Sequence, residues 1–543
     1  MKQTLTILIL FLFSTVILNA QATLVKDINP GTGHADQTFY NAMPIQIWQG
    51  KAYFAATDGS SGIELWVSDG TEAGTKLLKD INPGTGASQP DYFTVYQGKL
   101  YFAATGPAGR ELWVSDGSPE GTVQFKDIYP GTTGSSPTDL CVAGTTLFFS
   151  AAGTAGRELW KSNGTAAGTV LVVDLLSSSS GSKPKYLTAL GAKVCFSVDD
   201  LDAGEELYIS DGTEAGTKLV KDINPGFFGS FPKVLRVVNG KLYFGASPET
   251  GSSKEDIWVS DGTPDGTKIL IPGGYLLDVV ELNGKAIIAA GGDLYVSDGS
   301  VQNTIKLVSL SSMFTRNINH TRLMGVAGGL AFFSGEKTQF STGQEMWVTD
   351  GTAAGTKLLT DLYKGFISSS PTWLTPVGAK IYYAGDYKQD VSTGIELLET
   401  DGTAGGTKVA ADITTGTSGS NPGPIVQLNE TTLLFMAQNQ TNGRELWKYT
   451  LKTSTPTLEL RTAKDLLSFS PNPAQDQLQV RSLRADAGDG VLSIHNLLGQ
   501  VVYQQTLRAQ ESKSIHLTGL SKGVYTLSLQ QGEWVQVEKL MIH

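Results

Sequence analysis

Short apolar runs separated by glycine-rich turns follow one another along most of the chain. In one representative stretch the apolar runs span 75–81, 92–96, 100–104 and 111–115. Asp116-Gly117 follows the last run, and glycine favours a tight turn there because it reaches positive φ without a Cβ clash. No segment shows helical periodicity. The pattern therefore predicts four short strands per stretch and an all-β fold.

This four-strand pattern recurs along the chain, each time with a block similar to Glu-Leu-Trp in its last apolar run. The acids that open these blocks are Glu64, Glu111, Glu158, Glu206, Asp256, Asp293, Glu345, Glu396 and Glu445. Repeats of roughly 50 residues are typical of propellers, solenoids and arrays. We therefore predict nine small β units in place of one large enzyme domain.

The units are expected to associate because one unit cannot fold alone. Ordering about 47 residues costs on the order of 70 kcal/mol, whereas burying one large aromatic returns roughly 5 kcal/mol. Each unit has a large side chain two residues after the acid, and we interpret it as a plug between neighbouring sheets. These residues are Trp66, Trp113, Trp160, Tyr208, Trp258, Tyr295, Trp347, Leu398 and Trp447.

A β-propeller satisfies this need, because its four-stranded sheets pack face to face around an axis. Nine blades is the direct prediction, and the strand expected at 24–28 precedes its own unit, so it can pair with the last unit and close the ring. An eight-bladed ring with one irregular unit and an open array are the alternatives. After residue 449 the pattern stops, and a linker at 450–466 leads to a different unit at 467–543. Its alternating strands predict a small immunoglobulin-like β-sandwich.

The N-terminal residues are typical of a secretory signal peptide, predicted at 1–22. Lys2 precedes a short apolar run, and Ala20-Gln21-Ala22 supplies small residues for cleavage after either alanine. No later apolar stretch is long enough to span a membrane, so we expect no transmembrane segment in the mature chain. The net charge of −11 without a Lys/Arg cluster argues against nucleic acid as a partner.

Candidate chemistry is sparse. The five histidines have no metal-ligand spacing: His34, His320, His495, His516 and His543. We therefore predict neither a metal site nor a cofactor nor a catalytic residue. The Asp-Gly-Thr-x-x-Gly-Thr turns, such as 69–75, supply one reliable acid each, which favours backbone capping over a calcium loop. Cys141 and Cys195 are expected to remain free thiols, with a disulfide as the alternative.

Symmetry offers one candidate site. If the units close into a ring, the nine acids that open the blocks lie at a common height and could hold a cation or a basic segment of a partner. The alternative is that each acid bonds to backbone or to a neighbouring arginine, such as Arg110, Arg157 and Arg444. Unpaired crowding of nine charges would be costly, which favours the alternative.

Two family resemblances follow from these motifs. The nine units resemble the ELWxxDGT repeat family, with close matches at 64–71, 111–118 and 345–352 and departures at Asp256, Asp293 and Glu396. This resemblance covers roughly residues 24–449. It implies a secreted repeat protein and no assigned reaction.

The C-terminal unit resembles a type IX secretion system sorting domain of the A type. The resemblance rests on the segments 470–473, 494–501 and 517–525 and on Lys539. It implies that the outer-membrane export machinery recognises the domain, and that the protein is then released or attached at the cell surface. The residues assigned to the sorting signal are Pro471, Asn472, Pro473, Gly499, Gly523, Tyr525 and Lys539.

Together these observations predict an exported, non-catalytic β-propeller that presents loops to an extracellular protein or glycan. Inserts at 248–255 and 313–321 are the expected partner-specific loops. One alternative is a secreted hydrolase or lyase that degrades polysaccharide with acids converging on the propeller axis. A structural component of the cell-surface layer is the other.

Overall fold

The computed structural model describes two compact units, which divide between residues 452 and 453. Its regular elements in the described ranges are all strands, and none of these ranges contains a helix long and apolar enough to cross a membrane. The predicted signal peptide, apart from its last residue, lies outside the described residues, as do Gly499 and His320. The described ranges are 22–36, 44–249, 254–313, 323–337, 343–362, 367–388, 392–451, 461–462, 466–484, 489–496, 501–531 and 534–543.

The first unit consists of nine antiparallel sheets, numbered here in chain order. Sheet 9 begins with the N-terminal strand β1 (Ala22–Lys26). Sheets 1 to 3 are formed by β2 (Gln46–Trp48), β3 (Lys51–Ala56), β4 (Glu64–Ser68), β5 (Lys76–Lys79); β6 (Asp91–Tyr96), β7 (Lys99–Gly106), β8 (Gly109–Ser115), β9 (Val123–Lys126); and β10 (Thr138–Ala143), β11 (Thr146–Gly153), β12 (Gly156–Ser162), β13 (Val170–Val173).

Sheets 4 to 6 repeat this four-strand order without interruption. They are formed by β14 (Lys185–Leu190), β15 (Lys193–Asp200), β16 (Gly204–Ser210), β17 (Lys218–Lys221); β18 (Lys233–Val238), β19 (Lys241–Ala246), β20 (Asp256–Ser260), β21 (Lys268–Ile271); and β22 (Leu276–Leu282), β23 (Lys285–Ala290), β24 (Asp293–Ser297), β25 (Ile305–Ser309).

Sheet 7 is irregular, because two short strands, β26 and β27, pair with the same neighbour, β28. Sheets 7 to 9 are formed by β26 (Ser312–Met313), β27 (Gly325–Ala327), β28 (Leu330–Glu336), β29 (Glu345–Thr349), β30 (Lys357–Thr360); β31 (Thr372–Val377), β32 (Lys380–Lys388), β33 (Ser392–Thr400), β34 (Lys408–Ala411); and β35 (Ile425–Asn429), β36 (Thr432–Asn439), β37 (Gly443–Thr450) together with β1.

The N-terminal strand closes the nine sheets into a ring. β1 pairs antiparallel with β37, so that Ala22 lies opposite Tyr449 and Leu24 opposite Trp447. The first strand of each sheet also contacts the first strand of the next, in the order β2, β6, β10, β14, β18, β22, β27, β31, β35 and again β2. The described strands therefore form a closed ring of nine sheets and neither eight nor an open array.

Neighbouring sheets share their hydrophobic cores. Trp113 of sheet 2 is buried and packs in one cluster with Trp48, Tyr53 and Leu65 of sheet 1. Trp66 likewise packs against residues of sheet 9. The repeated aromatic side chains thus fill the space between sheets, and each sheet depends on both neighbours for the burial of its two faces.

The ring has two different ends. At one, called the turn end, strands one and two and strands three and four are joined by tight turns. In the turn after β4, Asp69 accepts hydrogen bonds from the Thr71 N–H and hydroxyl at 2.9 and 2.6 Å, and the hydroxyls of Ser68 and Thr75 lie 2.7 Å apart. The same bonds recur in the turns of sheets 2 to 8. Asp and Thr therefore cap backbone in these turns.

At the other end, called the connector end, the second and third strands are joined and the chain passes from each sheet to the next. The connecting segment after the fourth strand of a sheet, here called its connector, leads into the first strand of the following sheet. Connector lengths and side chains vary around the ring, whereas the turns at the opposite end hardly change. Variable segments on a constant scaffold are typical of recognition surfaces.

The second unit contains two sheets with one hydrophobic core between them. Leu466 is fully buried in this core and residues 461–462 pair with the last strand, so the unit begins upstream of the predicted start at 467. Its strands are β38 (Arg461–Thr462), β39 (Leu467–Ser470), β40 (Gln477–Ser482), β41 (Gly490–His495), β42 (Val501–Leu507), β43 (Ser512–His516), β44 (Gly523–Gln531) and β45 (Trp534–Ile542).

Candidate functional site

The acid that opens each Glu-Leu-Trp block holds a connector. Glu64, at the start of β4, is fully buried. Its carboxylate accepts hydrogen bonds from the Ile81 N–H at 2.8 Å, the Ser88 N–H at 2.9 Å and the Ser88 hydroxyl at 2.6 Å. Ile81 and Ser88 belong to the connector between sheets 1 and 2. The carboxylate therefore fixes the path by which the chain passes from one sheet to the next.

The same arrangement recurs around the ring. Glu111, Glu158, Glu345 and Glu396 each accept the N–H found 17 residues later and the N–H and hydroxyl of a serine 24 residues later. Glu206 accepts the Ser230 hydroxyl in the same way. In the closing sheet, Glu445 instead accepts the N–H groups of residues 28 and 29, which follow β1.

Burial dominates the acidity of these carboxyl groups. Loss of solvent raises the pKa of Glu206, Glu345 and Glu396 to about 7 and that of Glu445 to about 8, although hydrogen bonds from the connectors oppose the rise. The two aspartates of the series differ. Asp256 accepts the Gly273 N–H at 2.7 Å, and Asp293 lies 2.7 Å from the Lys306 ammonium group.

The nine acids do not form an open ring of charge. The seven glutamates have no exposed surface, and each bonds to the connector beside its own sheet. Their neighbouring arginines do not pair with them either. Arg110 and Arg157 donate to the carbonyl groups of Gln89 and Ser136 at 2.7 and 2.9 Å. These hydrogen bonds favour backbone partners for the acids over arginine partners, and a cation held by the repeated acids stays a prediction.

Arg444 has a role like that of the other two arginines and adds a buried ion pair. It donates to the Asn421 carbonyl at 2.6 Å, and its Nε lies 2.9 Å from Asp36. Within the described ranges, no group of three or more His, Cys, Asp or Glu side chains is placed to hold a metal ion. The arginines are thus connector clamps, and the buried acids of the repeats are structural.

Cys141 and Cys195 face different cores. Cys195 is fully buried in the cluster between sheets 4 and 5, whereas Cys141 packs against the cluster between sheets 3 and 4. Burial raises the pKa of Cys141 to about 11 and that of Cys195 to about 12. Sheet 4 separates the two thiols, so both remain free, and neither is activated as a nucleophile.

One connector departs from its counterparts in chemistry and not in backbone. Three connectors contain two residues between glycines that both have positive φ: Gly131-Thr132-Thr133-Gly134, Gly226-Phe227-Phe228-Gly229 and Gly416-Thr417-Ser418-Gly419. The leading glycines have φ of 120°, 111° and 98°, and the trailing ones 73°, 69° and 65°. Phe227 and Phe228 therefore stand where equivalent connectors carry hydroxyl side chains, and they are 70% and 50% exposed.

A third phenylalanine, Phe231, also stands at a position that is polar in other sheets. The residue before the proline that leads into a first strand has positive φ in six sheets: Gln89, Ser136, Lys183, Phe231, Ser370 and Asn421. Five of these six residues are polar. Phe231 is the exception and is 54% exposed. Because the backbone accepts polar residues at this position, the fold does not require the phenylalanine.

These three side chains belong to a larger exposed surface at the connector end of sheets 4 to 6. We call it the aromatic surface, and it consists of Tyr186, Leu201, Phe227, Phe228, Phe231 and Tyr275. The rings of Phe227 and Phe228 lie 4.1 Å apart. A Cβ added to Gly204 would lie 2.7 Å from the Phe227 carbonyl oxygen, so the hairpin that carries Leu201 packs directly on this connector.

Lysine–acid pairs border the aromatic surface. Lys185 lies 2.9 Å from Glu205, Lys183 lies 3.8 Å from Asp199, and Lys233 pairs with Glu255. The Lys233 ammonium group also lies 5.9 Å from the centre of the Tyr275 ring. Each of these lysines is matched by a carboxylate, and the exposed Asp202 and Asp222 lie at the same end. The surface is therefore apolar at its centre and charged at its edge.

Sequence reasoning placed the partner-specific loops in two inserts, one of which borders the aromatic surface through Glu255. Most of the predicted inserts lies outside the described residues, which omit 250–253 and 314–322. Residues 249 and 254, which belong to the first insert, lie at the connector end. The aromatic surface was missed, although aligning the connectors places Phe227, Phe228 and Phe231 where most other connectors carry threonine, serine or another polar residue. The connector of sheet 7, with Phe366-Ile367, contains a second apolar pair.

The residues assigned to the sorting signal meet at one end of the second unit. Asn472 donates to the Lys539 carbonyl at 2.7 Å and accepts the Met541 N–H at 2.9 Å. Gly523 lies opposite Ile542 in the adjacent strand pair. Tyr525 is buried and donates to the Ser521 carbonyl at 2.8 Å. Pro471 and Pro473 are exposed beside Asn472, and Gly499 lies outside the described residues.

Comparison with protein families identifies the second unit. Residues 468–543 match the family described as the secretion system C-terminal sorting domain. This domain implies interaction with the type IX export machinery, and it indicates export across the outer membrane to the cell surface or into the medium. No curated protein matches the chain.

Solved structures give only distant similarities. The chain is similar to a GH74 xyloglucanase from Xanthomonas campestris, with 12% identity, a TM-score of 0.31 and coverage of 95% of this chain and 87% of that one. It is also similar to puromycin hydrolase, with 11% identity and a TM-score of 0.36, over 64% of this chain and 58% of that one. The chain therefore spans less than two thirds of that hydrolase, and these similarities assign neither reaction nor ligand.

Proposed function

We propose that the chain is an exported, non-catalytic nine-bladed β-propeller whose connector end binds an extracellular protein or glycan. In this proposal, residues 1–22 are a signal peptide, 23–449 form a propeller of the ELWxxDGT type, and the C-terminal domain is an immunoglobulin-like sandwich that directs export. The ligand face is the end of the ring at which the connectors vary.

The aromatic surface is the observation that carries this proposal. Three phenylalanines are exposed at positions where most equivalent connectors carry polar residues, although the connector of sheet 7 carries Phe366-Ile367. Exposed apolar side chains of this size cost solubility unless a partner covers them, and contiguous patches of this kind mark interaction sites. Aromatic side chains also supply much of the binding energy in protein interfaces.

The buried acids support binding in preference to hydrolysis. A glycosidase needs two carboxyl groups that reach the same glycosidic bond. The seven repeated glutamates are fully buried and already accept hydrogen bonds from the connectors, so substrate cannot reach them. A polysaccharide-degrading activity would therefore have to use other acids.

The test combines a binding screen with an assay for turnover. The mature chain is applied to an array of bacterial, plant and host glycans and to immobilised extracellular matrix proteins, and released reducing sugar is measured in parallel. The expected result is binding without sugar release, lost in Phe227→Thr/Phe228→Thr. Val301→Thr is the matched control, because Val301 is 50% exposed at the turn end. Release of reducing sugar, or equal binding by both variants, would refute the proposal.

A further inference from the structure

The repeats provide an internal control for the aromatic surface. The connectors of sheets 2 and 8 have matching backbone angles and carry threonine or serine where the connector of sheet 4 carries Phe227 and Phe228. Phe231 likewise stands at a position that is polar in five other sheets. The connector backbone therefore does not require these three phenylalanines, and a binding partner would account for their exposure.

We propose that the aromatic surface binds a second copy of this chain, so that two rings associate through their connector ends. The inference rests on the proposed function and deepens it, since it names the protein ligand of this end. Such an interface is isologous: the same residues of both copies meet about a two-fold axis.

The exposed area suits a dimer. The six side chains are between 44% and 74% exposed, which amounts to roughly 700 Å² when a large apolar side chain presents about 200 Å² in full. Two copies would then bury about 1,400 Å², within the range of about 1,200–2,000 Å² for stable, specific interfaces. The aromatic surface alone is therefore large enough, without contributions from the rest of the ring.

Charge also favours a second copy at this place. The chain carries a net charge of −11, so two copies repel one another over most of their surfaces. At the border of the aromatic surface, each lysine is paired with a carboxylate of the same copy. These pairs limit contact between like charges at the border, and salt screens the remaining repulsion, so the association should strengthen as the salt concentration rises.

The same pairs argue against a glycan at this surface. A glycan site needs a few polar groups directed at the ligand beside its apolar walls. Here Lys185 pairs with Glu205 and Lys233 with Glu255. Within the aromatic surface only Tyr186 and Tyr275 carry a hydrogen-bonding group, and its phenylalanines carry none. A second copy of the aromatic surface therefore matches the exposed phenylalanines better than a polyhydroxylated ligand does.

Two-fold symmetry enlarges the effect of each substitution on the dissociation constant of the dimer. In an isologous dimer each substituted residue is removed from both sides of the interface, so its effect on the dissociation constant is counted twice. Removal of a central aromatic residue commonly weakens an interface about tenfold or more. We expect Phe227→Thr/Phe228→Thr to weaken the dimer by at least about 100-fold.

Sedimentation equilibrium of the mature full-length chain, from about 0.1 to 100 µM, tests the inference. The expected result is a dimer for wild type and Val301→Thr, and a monomer for Phe227→Thr/Phe228→Thr and for Phe231→Gln. Matching circular dichroism and melting curves verify that the variants are folded. Raising sodium chloride from about 0.1 to 0.5 M should lower the dissociation constant of the wild-type dimer, because salt screens the net repulsion.

A monomeric wild type at about 100 µM, or phenylalanine variants that dimerise as wild type does, would overturn the inference. If wild type is monomeric yet binds an arrayed ligand through the phenylalanines, the dimer fails and the proposed function stands. If the variants equal wild type in both experiments, both proposals fail.

Discussion

Replacing Glu64 should loosen the passage of the chain between sheets 1 and 2. Its buried carboxylate accepts three hydrogen bonds, from the Ile81 N–H and from the N–H and hydroxyl of Ser88. In Glu64→Ala these three donors lose their acceptor, and each buried unsatisfied donor costs about 1–3 kcal/mol. Because water can enter part of the space, we expect the free energy of unfolding to fall by about 3–5 kcal/mol.

Two milder substitutions separate the contributions of the hydrogen bonds to Glu64. Glu64→Gln keeps the shape of the side chain, but its amide nitrogen would face a donor, so a loss of about 1–3 kcal/mol is expected. Ser88→Ala removes the hydroxyl donor and its hydrogen bond to Glu64 and should lower the free energy of unfolding by about 1 kcal/mol. The predicted order of destabilisation is therefore Glu64→Ala, Glu64→Gln, Ser88→Ala.

Guanidinium unfolding followed by tryptophan fluorescence measures the total effect, and hydrogen exchange of the peptide spanning 80–90 locates it. Exchange in that peptide should accelerate more than exchange in the equivalent connector at 127–137. Glu72→Ala is the matched control, since this glutamate is exposed in the adjoining turn. If Glu64→Ala unfolds at the same denaturant concentration as Glu72→Ala, the assignment of the repeated acids as connector holders is refuted.

Three further results are expected. Burial raises the pKa of Glu345 to about 7, so the folded chain binds more protons than the unfolded chain from about pH 5 to 7. The free energy of unfolding should therefore fall as the pH rises through this range. Glu345→Gln should reduce this dependence on pH, and the same dependence in both chains would contradict the reasoning. Cys141 and Cys195 should both react with Ellman's reagent only after unfolding, whereas intact mass two hydrogens below the free-thiol value would reveal a disulfide. Gly74→Ala should destabilise the chain by about 1–3 kcal/mol because its Cβ would lie 2.0 Å from a carboxylate oxygen of the same turn. Gly405→Ala is the control, since its Cβ would have nothing within 4 Å, and it should melt as wild type does. Equal losses of stability in the two variants would rule out the turn geometry as the cause.

The fold follows from local pattern because each unit carries its own strand and turn signals. The all-β prediction of four strands per unit is confirmed by the sheets, and the aromatic residues of the repeated block fill the spaces between them. The closing strand could be foreseen because residues 24–28 precede the first unit. In sheet 7 the predicted insert at 313–321 falls between β26 and β27, but the sequence does not show that these two strands share one partner.

The partners of the repeated acids were not predictable, because they depend on distances set by the ring. A serine stands 24 residues after six of the seven glutamates, Glu445 being the exception, but only the packed connector brings it to the carboxylate. The arginine beside Glu111 suggested a different partner, and it clamps a backbone carbonyl instead. Phe227 and Phe228 read as ordinary apolar residues until their exposure and the polar residues of equivalent connectors are compared.

The mutual dependence of the sheets is tested most directly on one excised copy. A peptide spanning 91–137 contains all four strands of sheet 2 and the connector that follows it. Without neighbours to cover its two faces, it should give a disordered circular dichroism spectrum and no thermal transition, while the full chain melts cooperatively. A sigmoidal, reversible transition of the monomeric peptide would contradict the account of the ring.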